Sequence, residues 1–116
     1  MNTKKFGPPL WVSLHVISAN YPEKPTADHK RTYKAFFTIL KDILPCKYCR
    51  DSYNQFIQIL PIDNYLENRT LMMYWLYVIH NMVNEKLRNQ GNKVAKNPSF
   101  KEVMTKYEKY RANRTK

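Results

Sequence analysis

The two cysteines of the chain stand three residues apart, in Pro45-Cys46-Lys47-Tyr48-Cys49. Three chemistries are open to such a pair. As a structural disulfide it would close a loop too short to remove much chain entropy from the unfolded state. As half of a zinc site it needs two further ligands, and His15, His29 and His80 are the candidates. Zinc patterns, however, set Cys-x-x-Cys beside a second such pair or two closely spaced histidines, and the chain has neither. As a redox dithiol it would sit where a helix begins, beside the positive end of the helix dipole. That position lowers a thiol pKa, and Lys47 and Arg50 add cationic charge. Position therefore favours redox chemistry. The two sulfurs should also differ. Cys49 continues the apolar face of Tyr53, Phe56 and Leu60 and should point inward, whereas Cys46 should stand at the exposed helix mouth, open to another protein's thiol.

An inward sulfur needs something to face. Trp11 and His15 are four apart, as are His80 and Asn84, so each pair shares a helix face. A lone Trp or His is ordinarily core. Two helices that each offer rings and hydrogen-bonding groups on one side suit a flat heteroaromatic ligand in a bundle mouth. Lys86, Arg88, Lys93 and Lys96 follow and can meet a pyrophosphate. A dinucleotide flavin fits that set.

The elements that must position these groups read as helices. Leu10, Leu14, Ile17 and Tyr21 recur at helical spacing between Pro9 and Pro22, which predicts a first helix over Pro9–Asn20. Thr26 or Asp28 can cap a second, with Tyr33, Phe36, Phe37, Leu40, Ile43 and Leu44 as its apolar stripe. Pro45 opens a third, which ends before Pro61. Asn68 can cap a fourth over Arg69–Asn89, with Met72, Trp75, Leu76, Ile79, Val83 and Leu87 inward. Ser99 and Glu102 form a capping-box signature ahead of a short fifth helix carrying Phe100, Val103, Met104 and Tyr107. The fold class expected is all-α, a four-helix bundle with a short fifth helix. Residues 1–110 make one domain, and 111–116 a basic C-terminal tail that frays.

Composition sets limits. A chain of 116 residues holds one compact domain, and 43% hydrophobic content lets it fold. Two glycines, far apart, exclude a glycine-rich phosphate loop and with it a Rossmann or P-loop site. No apolar run approaches a membrane span, and no secretory signal is read at the start. The net charge of +11 suggests nucleic acid as a partner. Half of the 20 basic residues fall after Asn84 and none form a run of five, so the excess reads as a solvated basic surface that also suits an anionic ligand.

Three motifs, taken together, resemble those of the Erv/ALR family of FAD-linked sulfhydryl oxidases. Gly7-Pro8-x-x-Trp11-x-x-Leu14-His15 with Tyr21-Pro22 is similar to the family's opening motif. Pro45-Cys46-x-x-Cys49 is similar to its active-site disulfide, and Trp75-x-x-x-x-His80-Asn81-x-Val83-Asn84-x-Lys86-Leu87 to its flavin motif. The resemblance runs over roughly Phe6 to Tyr110. It implies a cone-shaped bundle with FAD at its mouth, as a homodimer. It further implies that Cys46 meets substrate and Cys49 meets the flavin. Gly7, Trp11, His15, Tyr21, His80, Asn81, Val83, Asn84, Lys86 and Leu87 would line the FAD, with Lys96 at the phosphates and Tyr107, preferred to Tyr110, near the adenine. A longer Arg88–Lys96 stretch departs from the family pattern.

The activity implied is oxidation of protein thiols to disulfides, with electrons passing through FAD to molecular oxygen to give hydrogen peroxide. The chain carries no second shuttle pair, so the expected partner is a dithiol protein, a thioredoxin-like or Cys-x-x-Cys carrier, with no nucleic acid, metal or membrane. Minimal members occur in large DNA viruses, which points to host cytoplasm or virion for a viral chain, and otherwise to the mitochondrial intermembrane space. Two readings stand against the oxidase: a zinc-stabilised helical module using both cysteines and two histidines, and a basic nucleic-acid-binding bundle.

Overall fold

Chain geometry at the helix starts organises the molecule. The computed structural model describes residues 3–112, with helices α1 (Thr3–Ala19), α2 (Ala27–Ile43), α3 (Lys47–Ile59), α4 (Arg69–Asn89) and α5 (Phe100–Glu108), and a 3-10 turn at Ile62–Tyr65. Among these residues there is no strand. Four of the five helices begin at a side-chain cap. Thr26 Oγ1 accepts from the His29 N–H at 3.1 Å while His29 Nδ1 accepts from the Thr26 N–H at 3.0 Å. Asn68 accepts from the Leu71 N–H, and Ser99 and Glu102 complete a reciprocal box. At α3 the cap is a sulfur: Cys46 Sγ accepts from the Cys49 N–H at 3.0 Å. Each cap satisfies an N–H that the first turn of a helix leaves without an internal partner.

The first helix departs from the expected span. It starts at Thr3, not at Pro9, and carries Pro8 and Pro9 inside it. Neither proline can donate to the carbonyl four residues back, at Lys4 and Lys5. The gap falls close to an exposed end, where water can replace the missing bonds. The extra turn matters to function, because it carries Phe6 and Gly7 into the site described below.

Helix α1 packs on α4, and α2 on α3, with α3 also against α4. Their shared core holds Leu14, Tyr21, Phe37, Leu40, Tyr53, Met72, Trp75, Leu76 and Ile79. Trp75 lies in this core, its indole N–H donating to the Leu60 carbonyl at the end of α3, 2.8 Å away. The short α5 closes one side of the bundle through Val103 and Tyr107, which pack with Ala19 and Met73. Beyond α5 the chain turns back on α1, where Asn20 Oδ1 accepts from the Ala112 N–H at 2.8 Å. The first part of the expected tail is thus tied down, and residues 113–116 of it lie outside the described residues.

Candidate functional site: a disulfide at the wall of a ring-lined cavity

A cavity of about 530 Å³ opens among all five helices. That is the size range of small-molecule and cofactor sites. Helix α1 gives it Phe6, Gly7, Leu10, Trp11 and Leu14. Helix α3 gives Tyr48, Cys49, Ser52, Tyr53 and Phe56, and α4 gives His80, Val83, Asn84, Lys86 and Leu87. The segment after α4 adds Asn92, Lys93 and Val94, and α5 adds Lys106 and Tyr107. The wall is mainly apolar and aromatic. Among the described residues it carries three lysines and no carboxylate. A smaller cavity of about 310 Å³, lined in part by Lys34, Phe37 and Ile62, contains neither cysteine nor histidine.

Cys46 and Cys49 are joined as a disulfide, with Cα atoms 5.2 Å apart. Cys49 belongs to the cavity wall and Cys46 does not. Both are half-buried. Because Cys46 is the cap and Cys49 lies one turn further along α3, the helix itself turns one sulfur toward the cavity. Lys86 reaches across from α4, donating to Ser52 Oγ at 2.8 Å with its ammonium 4.8 Å from the centre of the Tyr48 ring.

Two rings from different helices form the flat part of the wall. Trp11 and His80 stack with centroids 3.9 Å apart and planes 9° from parallel. Behind them, His15 Nε2 lies 3.0 Å from His80 Nδ1, and the His15 ring stacks on Tyr107 at 4.9 Å. Burial, with His80 and Lys106 nearby, pushes His15 down to about 3, and burial together with Lys106 pushes His80 down to about 4. Both rings are therefore neutral at ordinary pH, and one hydrogen between them makes the bond. His80 is held in place by a partner that is itself 4% exposed.

The positions singled out from sequence separate into groups. Gly7, Trp11, Cys49, His80, Val83, Asn84, Lys86, Leu87 and Tyr107 come together on the wall. His15 sits one layer behind, in contact with His80 and Tyr107. Tyr21, Asn81 and Lys96 are not on the wall. Tyr21 is fully buried in the bundle core, its hydroxyl donating to the Leu66 carbonyl at 2.6 Å and its ring edge-on to Tyr33. Asn81 follows His80 and so lies about 100° around α4 from it. Lys96 is exposed on the segment before α5, while Lys93 takes a place on the wall. Sequence reasoning passed over Tyr48, Ser52 and Lys106. Lys106 flanks the apolar stripe of α5, one residue before Tyr107, and that adjacency was the available signal.

The zinc alternative finds no site here. Among the described residues no three His, Cys, Asp or Glu side chains gather to hold a metal. The disulfide engages both cysteines, His15 and His80 bond each other, and His29 is spent on the α2 cap. Among the same residues no helix is long and apolar enough to cross a membrane.

A small helical bundle with a Cys-x-x-Cys disulfide at a ring-lined cavity is a redox scaffold by its parts. The chain belongs to the Erv1/Alr family, whose model matches residues 8–109. It is 35% identical over 81 residues to the FAD-linked sulfhydryl oxidase ERV1 of Arabidopsis thaliana, a match that covers 70% of this chain and 41% of that protein. It is 31% identical over 87 residues to an FAD-linked sulfhydryl oxidase of African swine fever virus, covering 73% of this chain and 70% of the viral one. The chain thus spans less than half of the plant relative. The crystal structure of the FAD-binding domain of Erv1 from Saccharomyces cerevisiae superimposes with a TM-score of 0.83 at 26% identity, covering 95% of this chain and 97% of that one.

Proposed function

We propose that this protein is an FAD-dependent sulfhydryl oxidase that makes disulfide bonds in protein substrates. The observation that carries the reading is the placing of Cys49, half of a disulfide, on the same wall as the Trp11–His80 stack and the lysines Lys86, Lys93 and Lys106. The residues present fit the cofactor. The stacked rings offer a flat face, Lys86, Lys93 and Lys106 oppose the charge of a pyrophosphate, and the remaining wall is mainly apolar. Gly7, Trp11, His80, Val83, Asn84, Lys86, Leu87 and Tyr107 would hold it, with His15 fixing His80 from behind.

The chain's own chemistry is thiol–disulfide exchange. A substrate thiolate attacks Cys46 Sγ, a new S–S bond forms there, and the Cys46–Cys49 bond breaks with its electron pair left on Cys49. A second substrate thiolate attacks the substrate sulfur of that mixed disulfide, and Cys46 leaves as a thiolate. The substrate is oxidised by two electrons and the enzyme pair is reduced by two. Placed at the start of α3, both thiolates gain from the helix dipole. What FAD supplies when bound is an acceptor for those two electrons, handed on to molecular oxygen as hydrogen peroxide.

We assign the donor as a dithiol carrier protein, thioredoxin-like or with a flexible Cys-x-x-Cys segment, because Cys46 is half-buried and a bulky folded substrate would not reach it. A chain of net charge +11 would draw such a carrier by complementary negative charge. The exposed Ile39 and Ile43, one turn apart on α2, support a homodimer. The relatives include a mitochondrial yeast oxidase and viral ones, and of these settings we favour the viral, in host cytoplasm or virion. A visible spectrum tests the core of the proposal. The purified chain should be yellow, bleach under excess dithiol without oxygen, and recover in air with release of peroxide. A chain that stays colourless after incubation with FAD would end it.

A further inference from the structure

Between α4 and α5 the chain runs without helix from Gly91 to Ser99, and Asn92, Lys93 and Val94 of this strap form part of the cavity wall. The strap begins on backbone bonds. Gly91 takes φ +86, a conformation strained for any residue with a side chain, and its N–H donates to the Arg88 carbonyl at 2.9 Å. The N–H and the side-chain amide of Asn92 both donate to the Leu87 carbonyl, at 3.0 and 3.2 Å. The far end is held by side chains of α4. Asn97 Oδ1 accepts from Asn84 Nδ2 at 3.0 Å and from Arg88 Nη2 at 2.9 Å. Arg88 also donates to the Ala95 carbonyl at 2.5 Å, and the Tyr77 hydroxyl to the Pro98 carbonyl at 2.8 Å.

The polarity of this junction is forced. A guanidinium only donates, so the atom of Asn97 that meets Arg88 must be its oxygen. The atom of Asn84 that meets the same oxygen must then be its nitrogen. Asn84 lines the cavity, and beyond that bond it keeps its oxygen and the second hydrogen of its amide. Lys93 is exposed, and no carboxylate pairs with it among the described residues, so its charge is available. Among the described residues no side-chain hydrogen bond or ion pair holds Lys93 or Val94, so their place depends on the anchors at either end.

We infer that Asn97, gripped by Arg88, is the latch of this strap: it fixes the orientation of the Asn84 amide on the cavity wall and keeps Lys93 on that wall, where its ammonium would oppose the pyrophosphate of the cofactor. The inference rests on the reading of the cavity as an FAD site. Asn97 is a positioning residue, since it stands off the wall and acts through two residues on it. Lys96, three positions along the same strap, is exposed and not on the wall, and is no part of the proposed latch.

The full chain is loaded with FAD and diluted, and release is followed by the fluorescence of free flavin. Asn97→Ala should speed release about tenfold or more, the scale of losing a hydrogen bond to a charged group, and Lys93→Ala, which removes one of the two residues it positions, by no more than that. Adding Lys93→Ala to Asn97→Ala should change nothing further, because a lysine already out of place contributes nothing. Release from the wild type should quicken with salt, and release from Asn97→Ala should respond less, which a merely structural defect would not produce. Multiplying effects in the double variant, or wild-type release from Asn97→Ala, overturn the latch alone. A wild type that retains no FAD overturns the reading of the cavity, and the latch with it.

Discussion

Acid should destabilise this protein through two rings. His15 and His80 face each other between α1 and α4, with Trp11, Tyr107 and Lys106 around them, and sit at about 3 and about 4 against 6.5 for a free ring. The folded chain keeps both neutral, while an unfolded chain takes a proton on each as pH falls below 6.5. Protons therefore favour unfolding, and stability present at neutral pH is lost as pH falls from 6.5 toward the folded values. Each ring costs about 1.4 kcal/mol per pH unit in that window, or about 2 kcal/mol by about pH 5. Two rings together approach about 4 kcal/mol, which for a domain of this size lowers the melting temperature by about 15 °C. Melts of wild type and His15→Gln, at neutral pH and at about pH 5, provide the check. The variant starts less stable but has one ring fewer to titrate, so its acid-induced drop should be about half. Asp51, held low by the Lys47 hydrogen bond, and Glu102, held low by the Ser99 cap, are common to both proteins and titrate at lower pH. Equal drops in the two proteins would refute the reasoning.

Cys46→Ser and Cys49→Ser should each abolish dithiol oxidation while the chain stays yellow. A broad long-wavelength absorption band should appear only in Cys46→Ser, where the remaining thiolate faces the cavity, and only Cys49→Ser should trap a dithiol partner as a mixed disulfide from extract; the reverse pattern would exchange the two roles. Lys86→Met removes the ammonium that bridges to Ser52, and should weaken FAD binding about tenfold in equilibrium dialysis, with unchanged affinity counting against a charge role. Trp75→Phe leaves the Leu60 carbonyl without its donor in a packed core, and should cost about 2 kcal/mol in urea unfolding; a loss near zero would mean water reaches that carbonyl.

Helix starts were legible in the sequence because caps are local. Asn68 and Ser99 each satisfy an N–H three residues on, and a short polar side chain followed by an apolar stripe is enough to announce that. The start of α1 was not legible. Prolines commonly open helices, and only the packing of a further turn outweighs their missing bonds. The 3-10 turn at Ile62–Tyr65 has no periodicity to betray it in four residues. At the cavity, the pairs at i and i+4 on α1 and α4 were readable as faces, but a face says nothing about depth. Trp11 and His15 share one, yet Trp11 lies on the wall and His15 behind it. Tyr21 continues the α1 series and is drawn into the core by the Leu66 carbonyl. Whether Lys93 or Lys96 meets the cavity depends on the path of a strap fixed by Asn97, and that path is a tertiary fact.

The sulfur that starts α3 has a consequence for oxidising strength. In an ordinary helix the N-terminal cap is a hydroxyl or a carboxamide whose state never changes. Here Cys46 Sγ takes the Cys49 N–H while bonded to the Cys49 sulfur. Breaking that bond leaves the same N–H facing a sulfur that can now carry full negative charge, and a charged acceptor makes a hydrogen bond roughly twice as strong. The helix is therefore better anchored after the pair has accepted electrons than before. A dithiol whose reduced form is the better stabilised is the stronger oxidant. An element of secondary structure thus acts as part of the driving force, and replacing the first turn of α3 would shift the reduction potential of the pair even with both cysteines in place.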